Sequence, residues 1–169
     1  MAGEKLKLAV AAARQALRAL DERDRFAVVT FDDRVDVVAG AGVASRDAVA
    51  AAEARLDAVV AGNNTDLGAG WLTACGEIGG AVADDAVARC LVLTDGQANR
   101  GIVDATALAQ HAKELRLRRV TTSALGLGAG FNEFLLGRLA EEGGGNFHFA
   151  ERADELAAIV GGEIGAVLS

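Results

Sequence analysis

Three short apolar runs, FAVVTF at 26–31, CLVLT at 90–94 and VTTSAL at 120–125, constrain this chain more than any other feature. They favour valine, threonine and large apolar side chains, are too short for buried helices, and meet charge or glycine at their ends. They read as buried strands. Around them the apolar spacing changes to that of helices. Residues 4–20 place Leu6, Val10, Ala13, Leu17 and Leu20 at steps of four, three, four and three, with Lys7, Arg14, Gln15 and Arg18 on the other side. Ser45 is placed to cap a second helix with a stripe of Val49, Ala52, Leu56, Val59 and Val60. A third helix runs through Trp71, Leu72, Cys75 and Ile78, and a fourth starts at Asp104 and passes Leu108, His111 and Leu115. Asn132 caps a fifth, with Phe131 placed to staple onto Leu136, and a last helix covers about 152–168.

Two weaker strands complete the pattern. In 34–38, charge alternates with valine after the turn Asp32-Asp33, which predicts an antiparallel edge hairpin with the first strand. Residues 146–149 form a short strand before the last helix. Strands that keep alternating with helices imply an α/β fold, a three-layer doubly wound sheet that is mostly parallel, with one antiparallel edge strand. Ligands in such sheets sit at the carboxyl ends of the strands.

With 169 residues, 51% apolar and 24% charged, the chain is expected to form a single domain, residues 1–169, with a substantial core. No stretch approaches the roughly 20 apolar residues needed to cross a bilayer, so no membrane span is expected. A net charge of −7, with basic residues scattered apart from Arg116, Arg118 and Arg119, argues against nucleic acid as a partner. MAGEKLKLAV shows no export signal, and a cytoplasmic location is the expectation. Cys75 and Cys90 have no CxxC spacing and are expected to be buried free thiols.

The candidate chemistry lies in loops. Asp95 follows the CLVLT strand in the triplet Thr94-Asp95-Gly96, and Asp-Gly is also a strong turn pair. A second polar loop, GNNTDLGAG at 62–70, places Thr65 and Asp66 before a helix at the same edge of the sheet. A threonine hydroxyl and an aspartate carboxylate brought together there would supply part of the oxygen shell that magnesium requires. GLGAG at 126–130 matches a dinucleotide fingerprint only weakly, because Phe131 takes the sixth position, and a glycine turn with a helix cap is the favoured explanation. His111 and His148 have no nucleophile in a recognisable setting. The pairs Asp32-Asp33 and Glu141-Glu142 read as solvated charge, and no catalytic residue is assigned.

Taken in order, DRFAVVTFDDRV, GNNTDLGAGW, CLVLTDGQANRG, VTTSALGLGAGFNEFLLGRLAEEGGGNFHFAE and DELAAIV resemble a von Willebrand factor type A domain of the bacterial kind. The resemblance implies a protein-binding module, not an enzyme. It also implies a metal-ion-dependent adhesion site, in which Mg2+ or another divalent cation bridges to an acidic residue of a protein partner. In that family a DxSxS motif after the first strand, a threonine from a second loop and an aspartate from a third hold the ion. Here the threonine matches Thr65 and the aspartate matches Asp95.

DxSxS is absent from this sequence, and Met1 to Leu6 resembles the residues that follow it in the family. The expectation is therefore an N-terminally truncated domain without the family's central first strand, with weak or lost cation binding. Without that strand, FAVVTF and CLVLT either close directly on one another, the favoured geometry for the chain alone, or leave a slot that another chain fills. Two further functional readings follow. One is a metal-free assembly module that accepts a partner's strand, with self-association through the slot as one form of it. The other is a nucleotide-binding enzyme using the GLGAG loop.

Overall fold

The computed structural model describes every residue except Ala2, residues 81–85, Gln97 and Ser169. The elements, in order, are α1 (Glu4–Arg18), β1 (Arg25–Phe31), β2 (Val35–Val43), α2 (Arg46–Asp57), α3 (Leu67–Gly79), β3 (Ala88–Thr94), α4 (Ala105–Leu117), β4 (Val120–Leu127), α5 (Glu133–Gly143), β5 (Gly144–Ala150) and α6 (Ala153–Leu168). Each run that reads as a strand is one, and α2, α3, α4 and α5 start at polar caps. Ser45 accepts from the Ala48 amide, Asp66 from Ala69, Asp104 from Ala107 and Asn132 from Leu135. Each cap satisfies one of the amides that a helix N-terminus leaves open. The expected stripe of α2 runs too far: the helix stops at Asp57, and Val60 lies beyond it, 81% exposed.

The strands divide into two sheets. β1 pairs antiparallel with β2, while β3, β4 and β5 form a parallel sheet in that order. β3 shows the period of two, with Ala88, Cys90, Val92 and Thr94 buried and the residues between them half-buried. One face of the parallel sheet carries α3, α4 and α5, packed around Trp71, Leu108, Leu136 and Leu139. The other face carries α1 and α6, around Ala12, Leu125, Leu127, Leu156 and Val160. A third cluster seats α1 and α2 on β1 and β2 through Leu17, Phe26, Val38 and Leu56. The architecture is thus the expected three-layer α/β fold.

Direct closure of FAVVTF on CLVLT does not occur, since β1 and β3 share no ladder. The helices explain why. Residues of α1 pack with β1 through Val10, Ala13 and Leu17, and with β3 through the cluster that holds Leu8, Ala9, Leu91 and Leu93. α3 likewise touches both, because Trp71 and Cys75 share a cluster with Phe31, Cys90 and Val92. Bringing β1 to β3 would require both helices to leave these seats.

Among the described residues Glu163 is the one buried charged side chain, 4% exposed on the same α6 stripe as Leu156 and Val160. Its carboxylate accepts from Arg89 Nη1 at 2.8 Å, Ser123 Oγ at 2.7 Å and Asn146 Nδ2 at 2.8 Å, and lies 2.7 Å from His148 Nε2. Burial pushes this carboxyl up, but the hydrogen bonds from Ser123, His148, Asn146 and Arg89 outweigh it and hold it at about 2. The cluster ties α6 to β3, β4 and β5 together.

Gly145 shows how closely β5 approaches β4. A β-carbon there would sit on the Thr122 carbonyl, so the main chains pass with no room for a side chain. Gly145→Ala is expected to lower stability by about 1–3 kcal/mol, measured by urea denaturation. An unchanged midpoint would show that β5, an edge strand, moves aside freely.

Candidate functional site

The carboxyl ends of β1 and β3 meet around the loop 62–66. The Asp66 amide donates to the Asp32 carbonyl at 3.1 Å, which fastens the loop to the end of β1. Asn63 and Asn64 both donate to the Asp33 carboxylate, and Arg100 approaches it at 3.6 Å. The Asn64 amide, foremost, holds the Asp33 carboxyl below the usual carboxylate value. Asp33, read from sequence as solvated charge, thus organises the loop. Two asparagines facing an acidic turn were the available signal, but they lie 30 and 31 positions away in the chain.

Asn99, in the segment after β3, makes the second connection. Its side-chain oxygen accepts from the Thr65 backbone amide at 2.8 Å, and its backbone amide donates to the Thr65 carbonyl at 3.2 Å. This pair of bonds sets Thr65 beside the turn that contains Asp95. The Thr65 hydroxyl is 3.7 Å from where a β-carbon on Gly96 would lie, and Gly96 directly follows Asp95. Thr94 steadies the same turn, its Oγ1 accepting from the Gly96 amide at 3.3 Å. Asp66 faces the other way, capping α3 and packing where Gly101, at φ 67°, leaves room for it.

Asp95 is 15% exposed, with the N-terminal ammonium 3.5 Å from Oδ1 and the Lys5 ammonium 4.0 Å from Oδ2. One carboxylate and one hydroxyl are a fragment of a six-oxygen shell. Among the described residues no group of three or more His, Cys, Asp or Glu side chains is arranged to hold a metal ion. The residues present therefore do not by themselves fit a divalent cation: the donors are few, and the Lys5 ammonium already stands near the carboxylate.

The GLGAG loop borders this region and is filled by the chain itself. A β-carbon on Gly126 would enter the ring of Phe131, and one on Gly128, at φ 69°, would meet the Lys5 stem. Lys5 also donates to the Ala129 carbonyl at 3.3 Å. Phe131 continues into the core, edge-on to Phe147 with ring centroids 6.1 Å apart. The glycines thus make room for an aromatic ring and a lysine stem.

Of the remaining sequence candidates, Cys75 and Cys90 are free and buried, as expected. The structure adds that they are neighbours: the Cys75 side chain and burial together push the Cys90 thiol well above its ordinary value. His148 joins the Glu163 cluster, which sequence reasoning missed.

Comparison with known proteins bears on the family and the fold. The sequence profile of the von Willebrand factor type A domain matches residues 1–161. The uncharacterized protein YfbK of Escherichia coli strain K12 is 28% identical over 168 residues, which are 98% of this chain and 28% of that protein. The chain therefore spans little more than a quarter of that relative. Among solved structures, a von Willebrand factor type A protein from Catenulispora acidiphila superposes with a TM-score of 0.80 at 23% identity, over 94% of this chain and 37% of its own. Proximal thread matrix protein 1 from the mussel byssus, solved with a zinc-occupied MIDAS motif, superposes with a TM-score of 0.74 at 19% identity, over 95% of this chain and 42% of its own. These two likenesses concern the fold.

Proposed function

The chain belongs to the von Willebrand factor type A domain family, and from that premise we propose that it is a protein-binding module, not an enzyme, with an impaired adhesion-type cation site at Thr65 and Asp95. Such domains are in general protein-interaction modules. The partner surface in this reading is the rim formed by the loop 62–66, the turn at 95–96 and the segment around Asn99. The favoured ligand is a protein that offers an acidic residue.

One observation carries the reading. Asn99 holds Thr65 against the turn of Asp95 at the carboxyl end of the sheet, while the Lys5 ammonium stands close to the carboxylate. The first part supports a vestige of a cation site, and the second supports its impairment. A lysine charge this close to the carboxylate repels an incoming divalent cation by on the order of 1–2 kcal/mol in water and more where solvent is excluded.

Calorimetric titration with magnesium tests this. Binding no tighter than about millimolar is expected, near the weak end for oxygen-ligand sites. Lys5→Met is expected to strengthen it about fivefold by removing one competing charge, and Asp95→Ala to abolish it. A dissociation constant far below millimolar for the unaltered chain would overturn the impairment. Binding that survives Asp95→Ala would overturn the assignment of the site.

A further inference from the structure

β2 and β5 are the outer strands of their sheets, while β1 and β3 are held beneath α1 and α3. Natural sheet edges are commonly guarded against pairing with another chain by charge or by covering groups. β2 is guarded in this way. Asp36 is exposed on it, Arg55 Nη1 donates to the Val38 carbonyl at 2.7 Å, and Glu77 accepts from the Ala41 amide at 3.3 Å. β5, with the sequence GGNFHFA, carries no Asp, Glu, Lys or Arg. Its one titratable side chain, His148, is turned to Glu163 of α6, and Phe149 is 60% exposed.

Two hydrogen bonds fix which way the main chain of β5 points. The Ala150 carbonyl accepts from the Gly128 amide just past β4 at 2.8 Å, and the Asn146 amide donates to Ser123 Oγ of β4 at 3.1 Å. Main-chain groups alternate sides along a strand. Asn146, His148 and Ala150 therefore address β4, and Phe147 and Phe149 direct their N–H and C=O groups away from the sheet, along an edge that no other strand of the chain pairs with.

We propose that this edge pairs with the same edge of a second copy, antiparallel, about a two-fold axis at His148. The proposal rests on β5 alone and is independent of the cation reading.

The outward groups select the register. With His148 opposite its own copy, Phe147 stands opposite Phe149 of the partner subunit, and Phe149 opposite Phe147 of the partner subunit. Each pair exchanges two N–H···O bonds, so every outward group of both residues finds a partner. Sliding the copies to centre on Phe147 sets Phe149 against Gly145, which lies in the irregular stretch between Gly144 and Phe147. Centring on Phe149 sets Phe147 against Glu151, whose amide already donates to Glu155 at 3.0 Å. Registers offset by one residue place outward groups against inward ones.

The side chains agree with this register. Phe147 and Phe149 share the α5 face, where Phe147 meets Phe131 edge-on. Each exposed Phe149 then closes over Phe147 of the partner subunit, and aromatic cross-strand pairs are favourable. Glu151 falls opposite Gly145 and Arg152 opposite Gly144, so no like charges meet. A second copy is the occupant because one short edge supplies both halves of this match. The two three-stranded sheets become one of six strands, with the helices of both copies side by side on each face. The rims at Thr65 and Asp95 then point to opposite ends of the dimer, which can bridge two partners.

The test is sedimentation equilibrium of the full chain in a chelating buffer, with backbone amide exchange read alongside. A monomer–dimer equilibrium with a dissociation constant of about 1–100 µM is expected for an edge contact of this kind. Phe149→Lys is expected to weaken it about tenfold or more, and Phe149→Leu about threefold or less. The Phe147 and Phe149 amides are expected to exchange about tenfold more slowly in concentrated than in dilute samples. A chain that stays monomeric at several hundred micromolar would overturn the proposal. So would a dimer that Phe149→Lys leaves intact, or one without slowed exchange at these two amides, since either places the contact elsewhere. A monomer whose two amides are protected only by an added heptapeptide of Val and Thr would also overturn it, by making a foreign strand the occupant.

Discussion

Glu163→Ala is expected to destabilise the fold by about 3–5 kcal/mol, the usual cost of breaking a buried charge pair by removing one partner. The loss exceeds that of a single contact because four groups are left behind. Arg89, 18% exposed, keeps its charge without its carboxylate. Ser123, at 0% exposure, loses its acceptor, and Asn146 and His148 lose theirs. Urea denaturation followed by far-ultraviolet circular dichroism measures the change. A cost below about 1 kcal/mol would mean that α6 is held by Leu156 and Val160 alone.

The same carboxylate predicts a pH dependence with a definite sign. Glu163 sits at about 2 in the folded chain, against an ordinary value of 4.5. The unfolded chain therefore takes up this proton first as pH falls. The contribution is complete above about pH 4.5 and is lost progressively as pH drops through the folded value near 2; its full size is about 3 kcal/mol. In parallel denaturation series, the stability gap between the unaltered chain and Glu163→Gln is expected to be widest above pH 4.5 and to narrow below it. A gap that stays constant from neutral pH down to about 2 would contradict the linkage.

Trp71→Ala is the second large effect, at about 3–5 kcal/mol. Trp71 is 1% exposed, belongs to the cluster around β3, and donates from Nε1 to Thr122 Oγ1 at 3.1 Å. Truncation therefore leaves a cavity and an unpaired hydroxyl deep in the sheet. Trp71→Phe keeps most of the volume and loses the hydrogen bond, so a smaller cost of about 1–2 kcal/mol is expected. Chemical denaturation of both variants separates the packing from the bond. Equal costs would assign nearly all of the effect to the hydrogen bond. As the only tryptophan in the chain, Trp71 also provides an intrinsic fluorescence signal within the core.

Much of this molecule is legible in the sequence because the information is local. A strand buried on both faces must be apolar throughout, which is why FAVVTF, CLVLT and VTTSAL identify themselves. Helix starts are legible for a similar reason. Ser45, Asp104 and Asn132 each cap amides only three residues ahead, so the partners lie within one turn. Even Glu163 left a trace, since its steps of four and three from Leu156 and Val160 place it on the buried stripe. That trace was not enough to reveal its partners, which sit on β3, β4 and β5, between 15 and 74 positions away.

By itself the sequence determined the element types, their order, the α/β class and the family. Each depends on residue type and short-range spacing, which the chain carries wherever it lies in space. Tertiary structure alone decided which distant groups meet. It set Thr65 against the Asp95 turn through Asn99, brought Cys75 to Cys90, gathered four partners on Glu163, and held β1 apart from β3. The last of these ran against the expected closure. Pairing of strand edges is negotiated with everything packed on the sheet, and here α1 and α3, each seated on both halves, keep the two edges apart.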